Sequence, residues 1–283
     1  MRQDPSHTTQ ECCQALEVSR SGFYDHCHKA QGQRRCEDRA IAVEVAEAFH
    51  ASRKTYGTPR LRIELGAQGR HTSRRRIARL MRQQDFHVLQ KRRYLPRTTD
   101  SNHGRQPAAH LFKDSAPPAA LNEAWVTDIT YIPTKEGWLY LAAEMDRCSR
   151  RILGWSTADH LETSLVLQAL SKAVTTRSAP LPGLVHHSDQ GCQYASGQFT
   201  QTLADLDITQ SMSRRGNCYD NATAESFWAT LKAECFGHLI PNTRAQAKSM
   251  IFDYIETFYN PVRRHSSLGY LSPLNFEHQL SLN

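Results

Sequence analysis

The chain of 283 residues has no apolar run approaching the roughly 20 residues needed to cross a bilayer. Its first residues, Met1-Arg2-Gln3-Asp4-Pro5-Ser6-His7, lack the apolar segment of a secretory signal. Its eight cysteines contain no Cys-x-x-Cys pair and are too sparse for a disulfide scaffold, so reduced thiols in a cytoplasmic protein are expected. The group His26-Cys27-His28 with Cys36 has the spacing of no familiar zinc site, and unligated side chains are the expectation there. Apolar residues make up 39% and the mean hydropathy is −0.60, values of a soluble, non-membrane protein. Acidic residues are what one stretch lacks: positions 51–113 hold 16 Lys and Arg against 3 Asp and Glu. Their balance of +13 leaves −6 for the rest of a chain whose net charge is +7. One part is therefore suited to gripping a polyanion and another to different work.

The N-terminal third has helical spacing. Thr8 to Tyr24 fits two short helices with a turn at Glu17-Val18 and a Ser19 cap, a helix-turn-helix that would place Arg20 near base edges. Ile41, Val43, Val45, Ala46 and Phe49 predict an amphipathic helix, and Tyr56-Gly57-Thr58-Pro59 a break after it. Thr72 or Ser73 then caps a helix burying Ile77, Leu80 and Met81 and crowding Arg74, Arg75, Arg76 and Arg79 on its other face. Lys91, Arg92 and Arg93 would follow as a phosphate-contacting tail. The expected divisions are a helix-turn-helix segment at 1–39, a basic helix-turn-helix DNA-binding domain at 40–97 and a Pro-, Ser- and Gly-containing linker at 98–120. A catalytic core would span 121–236, and a helical extension 237–283.

From 122 the pattern turns to strands. Segments 125–132, 138–145 and 152–156 read as an antiparallel meander, followed by a helix over 161–174, a strand at 184–187, a helix at 199–206 and a strand at 208–213. This order is that of a ribonuclease-H-like α/β fold with a mixed sheet flanked by helices. On it the first and fourth strands are neighbours, bringing Asp128 to Asp189, and the helix at 222–228 brings Glu225 across. Carboxylates gathered at one buried edge repel each other unless cations hold them, and paired divalent metals are the apparatus of phosphodiester chemistry. Asp146 also ends a strand, with a structural bond to Arg147 or Arg150 an equal expectation; Asp220 is expected to cap the helix carrying Glu225. His186 and His187 are expected to pack or orient the Asp189 loop.

Thirty-five residues separate Asp189 from Glu225. The motifs around the acids are more specific: Trp125-x-Thr127-Asp128-Ile129-Thr130-Tyr131, Gly137-Trp138-Leu139-Tyr140-Leu141, His186-His187-Ser188-Asp189-Gln190-Gly191-x-Gln193-Tyr194, Arg214-Arg215-Gly216-Asn217 and Tyr259-Asn260-x-x-Arg263-x-His265. In these the chain resembles, over nearly its whole length, the second-reading-frame transposases of bacterial insertion sequences with an integrase-like core of two aspartates and a glutamate. Two small departures are Cys192, where the family commonly has serine, and Gln190, where it often has arginine.

The resemblance implies metal-dependent nicking at transposon ends and transfer of the freed 3′-hydroxyl to another phosphodiester. Asp128, Asp189 and Glu225 would hold two Mg2+ ions, with Mn2+ able to substitute. Implied partners are the terminal inverted repeats, target DNA, a protein encoded in the upstream frame and further copies of the chain on DNA. The implied location is cytoplasmic and nucleoid-associated. A mobile loop carrying Arg214 and Arg215 would contact DNA, as would Arg263 and His265, with helix-end capping a competing role for Arg263. A repressor with an inactive core and a ribonuclease for RNA–DNA hybrids use the same fold and remain open at this point.

Overall fold

The computed structural model describes residues 8–29, 33–88, 108–111, 118–178, 180–214 and 222–282. It divides into two units, residues 1–88 and 89–283. In the first, α1 (Thr9–Ala15) opens on a reciprocal cap: Glu11 N–H donates to Thr8 Oγ1 at 3.3 Å, and Thr8 N–H donates to Glu11 Oε2 at 2.7 Å. Ser19 Oγ accepts from Gly22 N–H and starts α2 (Arg20–Lys29). The next helix, α3 (Gln33–Ala51), runs straight through the boundary expected at 39/40, since no Gly or Pro interrupts it. With α4 (Thr58–Ala67) and α5 (Arg74–Gln83) it buries Ile41, Val45, Ala48, Phe49, Leu61, Leu65, Ile77, Leu80 and Met81. Val43, expected on the apolar face, is 58% exposed, because the buried face steps through 41, 45 and 48. Tyr24, on α2, is exposed as well. Ser73, not Thr72, caps α5 by accepting from Arg76 N–H.

The second unit is built on β1 (Ala124–Thr134), β2 (Gly137–Asp146), β3 (Ile152–Ala158), β4 (Val185–Ser188) and β5 (Thr209–Met212). Their order is β3-β2-β1-β4-β5; the first three strands are antiparallel, and β4 and β5 run parallel to β1. With helices on both faces this is the mixed α/β sheet of the ribonuclease-H-like fold. One face packs α6 (Thr163–Arg177) and α7 (Gly197–Asp205) over Trp125, Ala142, Leu153, Val166, Ala169 and Phe199. At Gly154 a Cβ would lie 2.3 Å from the Ala169 carbonyl oxygen, so only glycine lets β3 meet α6 this closely. The other face meets α8 (Ala222–Leu231), which continues through a widened π-type segment, Lys232–Phe236. Further on, α9 (Arg244–Phe252) leads into a second π-type segment, Asp253–Tyr259, and α10 (Pro273–Ser281) ends the chain's helices.

The segment expected as a C-terminal extension completes the core. The Asn260 amide accepts from Ile152 N–H and donates to Ile152 C=O, both at 3.0 Å, closing the start of edge strand β3. Glu277 accepts from Ser149 Oγ, Arg151 and Arg177. Arg177 also donates to Asp146, fully buried, whose Oδ1 accepts from Cys148 and Ser149 N–H. Asp146 is thus a structural acid, with Arg177 in place of the expected Arg147 or Arg150. At the opposite edge, part of the expected linker lies against β5: Met212 N–H donates to Ala109 C=O, and Leu111 N–H to Ser211 Oγ. No helix among the described residues is long and apolar enough to cross a membrane.

Candidate active site

The parallel pairing of β1 and β4 matches Trp125 with His186 and Val126 with His187. Two residues further along both strands come Asp128 and Asp189. Because strand side chains alternate, both keep the face shared by Val126 and His187. Two contacts fix this register from below. His187 lies between Ser211 Oγ (2.9 Å from Nδ1) and Ser213 Oγ (3.1 Å from Nε2), tying β4 to β5. Ser213 Oγ donates to Ser188 C=O, so Nε2 carries the imidazole proton. Under β1, fully buried His186 and Glu144 approach to 2.9 Å from strands on either side of it. Thr127 Oγ1 donates to Ala143 C=O and accepts from the Tyr194 hydroxyl at 3.2 Å. The histidines therefore act in packing and orientation.

Asp128 is held by two donors: Oδ1 accepts from Ile129 N–H at 2.8 Å, and Oδ2 from Trp228 Nε1–H at 3.0 Å. Trp228 lies one turn after Glu225 on α8, so this bond sets the helix with its Glu225 side toward Asp128. Asp189 Oδ1 accepts from Gly191 N–H at 3.0 Å, which fixes the turn after β4. Burial pushes the Asp128 carboxyl up to about 8, with the negative charge of Asp189 adding to it and that of Glu225 adding less; the two hydrogen bonds oppose the shift. Burial also raises Glu225, and raises the Tyr194 phenol, which feels Asp128 and Asp189, well above its usual range. Lys232, two turns beyond Glu225, sits 4.9 Å over the Tyr131 ring; burial lowers its ammonium while Asp128 works to raise it.

Asp128, Asp189 and Glu225 offer oxygen donors, the kind that suits Mg2+. Among the described residues no three His, Cys, Asp or Glu side chains stand close enough to form a ready metal site. That agrees with Glu225 acting on Asp128 more weakly than Asp189 does. Trp228, Lys232, Glu144 and Tyr194 were missed as site residues; spacings of three and seven after Glu225 on one helix were the available signal for the first two.

The other sequence-predicted residues are scattered. Arg74 and Arg75 are exposed at the start of α5. Arg76 and Arg79 instead bind Asp38 on α3, at 2.7 Å each, and hold its carboxyl below the usual range. Arg20 is exposed and reaches Gln10 at 3.4 Å. Arg214 is exposed just after β5. Lys91, Arg92, Arg93, Arg215 and Asp220 lie outside the described residues. Arg263, expected at DNA, is buried: it donates to both oxygens of Glu234 at 2.6 Å and packs over Tyr259. His265 is half-buried, edge-on to Tyr259 and 3.3 Å from Arg263.

Residues 118–218 and 206–273 match two models described as integrase core domain, and 35–94 match an HTH-like domain. The chain is 37% identical over 276 residues to the transposase InsF for insertion sequence IS3A of Escherichia coli (strain K12), covering 94% of this chain and 93% of that protein. The chain belongs to the insertion-sequence transposases. A transposase for insertion sequence element IS904 of Lactococcus lactis subsp. lactis (strain IL1403) is 38% identical over 253 residues, 88% of this chain and 98% of its own. An insertion element IS600 31 kDa protein of Shigella sonnei is 41% identical over 272 residues, 95% and 99%. Among solved structures, the HTLV-2 integrase catalytic core domain in complex with magnesium covers 56% of this transposase and 99% of its own chain, at 15% identity and a TM-score of 0.41. The second unit of this transposase is thus an integrase core domain and the first an HTH-like domain, an arrangement of polynucleotidyl transferases.

Proposed function

We propose that the protein nicks DNA at the ends of an insertion sequence and transfers the freed 3′-hydroxyl to another phosphodiester, using divalent cations held by Asp128, Asp189 and Glu225. The observation that carries this is the Asp128–Trp228 hydrogen bond, which joins β1, the strand bearing Asp128, to the helix bearing Glu225. Two bound Mg2+ ions, or Mn2+ in their place, would supply activation of the attacking oxygen and stabilisation of the departing one. Asp128, which feels the charge of both other acids, would hold the ions together with Asp189 and Glu225. Trp228 and Ile129 keep the Asp128 carboxylate from rotating. Lys232, on the same stripe as Glu225, would hold a phosphate of the scissile strand. Exposed Arg214, with Arg215, would contact DNA beside the site, and Arg20, Arg74 and Arg75 would position the duplex. Further copies of the chain on paired ends, and a partner from the upstream frame, complete the reading, in a cytoplasmic, nucleoid-associated setting.

The test is incubation of the full chain with supercoiled plasmid carrying the flanking inverted repeats. Nicks mapped to the repeat ends, present with Mg2+ or Mn2+ and lost with chelator, are the expected result. Tight binding without nicking under either metal would leave a repressor, and preferential cleavage of RNA–DNA hybrid a ribonuclease.

Because Arg76 and Arg79 are tied to Asp38 while Arg74 and Arg75 are exposed, the two pairs should behave differently. Arg74→Ala with Arg75→Ala is expected to reduce the slope of log affinity against log salt by about 1.8, the share of two phosphate contacts. Arg79→Ala should leave that slope nearly unchanged and lower the melting temperature instead. Equal slopes for the two variants, from fluorescence anisotropy over a salt series, would contradict this division.

A further inference from the structure

Beyond Asp128, β1 has left β4 behind and pairs with β2 alone, and past Tyr140, where β3 also ends, the two form a two-stranded ribbon ending at Thr134 and Gly137. The register sets Tyr131 opposite Tyr140 and Pro133 opposite Trp138. Residues two apart share a face, so four ring side chains form one grid. The Tyr131 and Trp138 rings meet edge-on, centroids 4.8 Å apart. Trp138 is 49% exposed, Pro133 is exposed and both tyrosines are half-buried. The opposite face of the ribbon, with Ile132, Leu139 and Leu141, is buried.

The rim of this grid is cationic. Lys232 lies over Tyr131, Arg244 donates from Nε to Trp138 C=O at 3.0 Å, and Lys135 is exposed at the turn. The acid there, Glu136, accepts from Arg244 N–H at 2.8 Å. Lys232 also links the grid to the acids through its electrostatic contact with Asp128. Tyr131 follows Asp128 by three strand residues, an odd step that turns its ring to the face of the ribbon opposite the carboxylate, so Lys232 spans the open edge between the two.

Resting on the proposed nucleic-acid chemistry, we infer that Trp138 and Tyr131 form a stacking shelf for an unpaired nucleotide of the DNA substrate, on the face of the ribbon opposite Asp128. Exposed aromatic faces bordered by Lys and Arg are the pattern of single-strand recognition, rings taking bases and cations the backbone. A paired duplex keeps its base faces stacked inside the helix, so the shelf can engage only a base that has left its partner. An apolar protein partner would gain from the rings but would have to desolvate the cations of the rim. The shelf would therefore hold an unpaired stretch of the substrate on the face away from the carboxylates.

The test uses the full chain with a fluorescein-labelled single-stranded oligo(dT) dodecamer and a labelled duplex of the same length. Trp138→Ala is expected to weaken single-strand binding about tenfold, one stacked base, with duplex affinity unchanged and Trp138→Phe largely restored. Crosslinking of a 5-bromodeoxyuridine-substituted strand to the unaltered protein should map to the peptide containing Tyr131–Tyr140, a readout independent of how the variants fold. Unchanged single-strand affinity in Trp138→Ala, crosslinks mapping elsewhere, or a change in oligomeric state without a change in single-strand binding would each overturn the shelf. Plasmid nicking on the same preparation separates the readings: nicking by a protein without single-strand discrimination discards the shelf alone, and no nicking discards the chemistry on which it rests.

Discussion

Asp128→Asn is expected to lower metal-dependent nicking by about a thousandfold. The loss follows from several kcal/mol of transition-state charge stabilisation, at about 1.36 kcal/mol for each decade of rate. Binding to duplex should persist, since the HTH-like unit is untouched. The same carboxyl predicts a pH signature. Its folded-state value of about 8 lies above the ordinary 3.8, through burial and then the charge of Asp189. At pH 6 Asp128 is protonated, so a cation must displace that proton, and apparent Mg2+ affinity should rise about tenfold per unit up to about pH 8 and then level off. For the metal-free protein, the raised value means that this group's contribution to stability is complete below its ordinary range and is lost as pH rises through about 8. Its melting temperature should fall over that window, and Mg2+ should restore it. Calorimetry in buffers of different ionisation enthalpy, with thermal melts across pH 5.5–9, checks both. Mg2+ binding that releases no proton at pH 6.5, or Asp128→Asn that nicks at the unaltered rate, would contradict the assignment.

Arg263→Met is expected to destabilise the second unit by about 3–5 kcal/mol, the cost of leaving a buried acid without its partner. For a unit of this size that is a fall in melting temperature of roughly 6–20 °C. Glu234 would keep the Tyr254 hydroxyl, which donates to its Oε2 at 2.8 Å, but would lose its cation while remaining nearly enclosed. Replacing both partners, Arg263→Met with Glu234→Leu, should recover much of the loss, because an apolar pair leaves no charge behind. A DNA contact behaves otherwise: the single variant would melt normally and show a shallower salt dependence. A normal melt together with weakened DNA binding would return Arg263 to the interface.

What the sequence disclosed follows from local chemistry. Alternation and β-branched residues set out β1 through β3, and a period of 3.6 set out α5 and its buried Ile77, Leu80 and Met81. Ser19 and Ser73 disclosed their caps because capping involves neighbours three residues away. Long-range pairing was not legible. Arg263 and Glu234 are 29 positions apart, and Arg177 and Glu277 are 100 apart. Each of these looks like a surface charge until the fold brings its partner. The same reason hid the boundary after 236, where charged residues that complete the core resemble those of a solvated appendage. Of the candidate site, the acids were legible from their motifs, whereas the Trp228 bond that orients Asp128 depends on how α8 lies on the sheet.

Asn260 has a consequence for how the protein can be divided. Its amide occupies both hydrogen-bonding groups of Ile152, the first residue of edge strand β3. A fragment trimmed at the apparent end of the core would uncover that edge and strand Arg177 and Asp146 without Glu277. Open edges recruit other strands, so such a fragment would tend toward aggregation. The smallest unit that can be produced and assayed for chemistry therefore extends through α10.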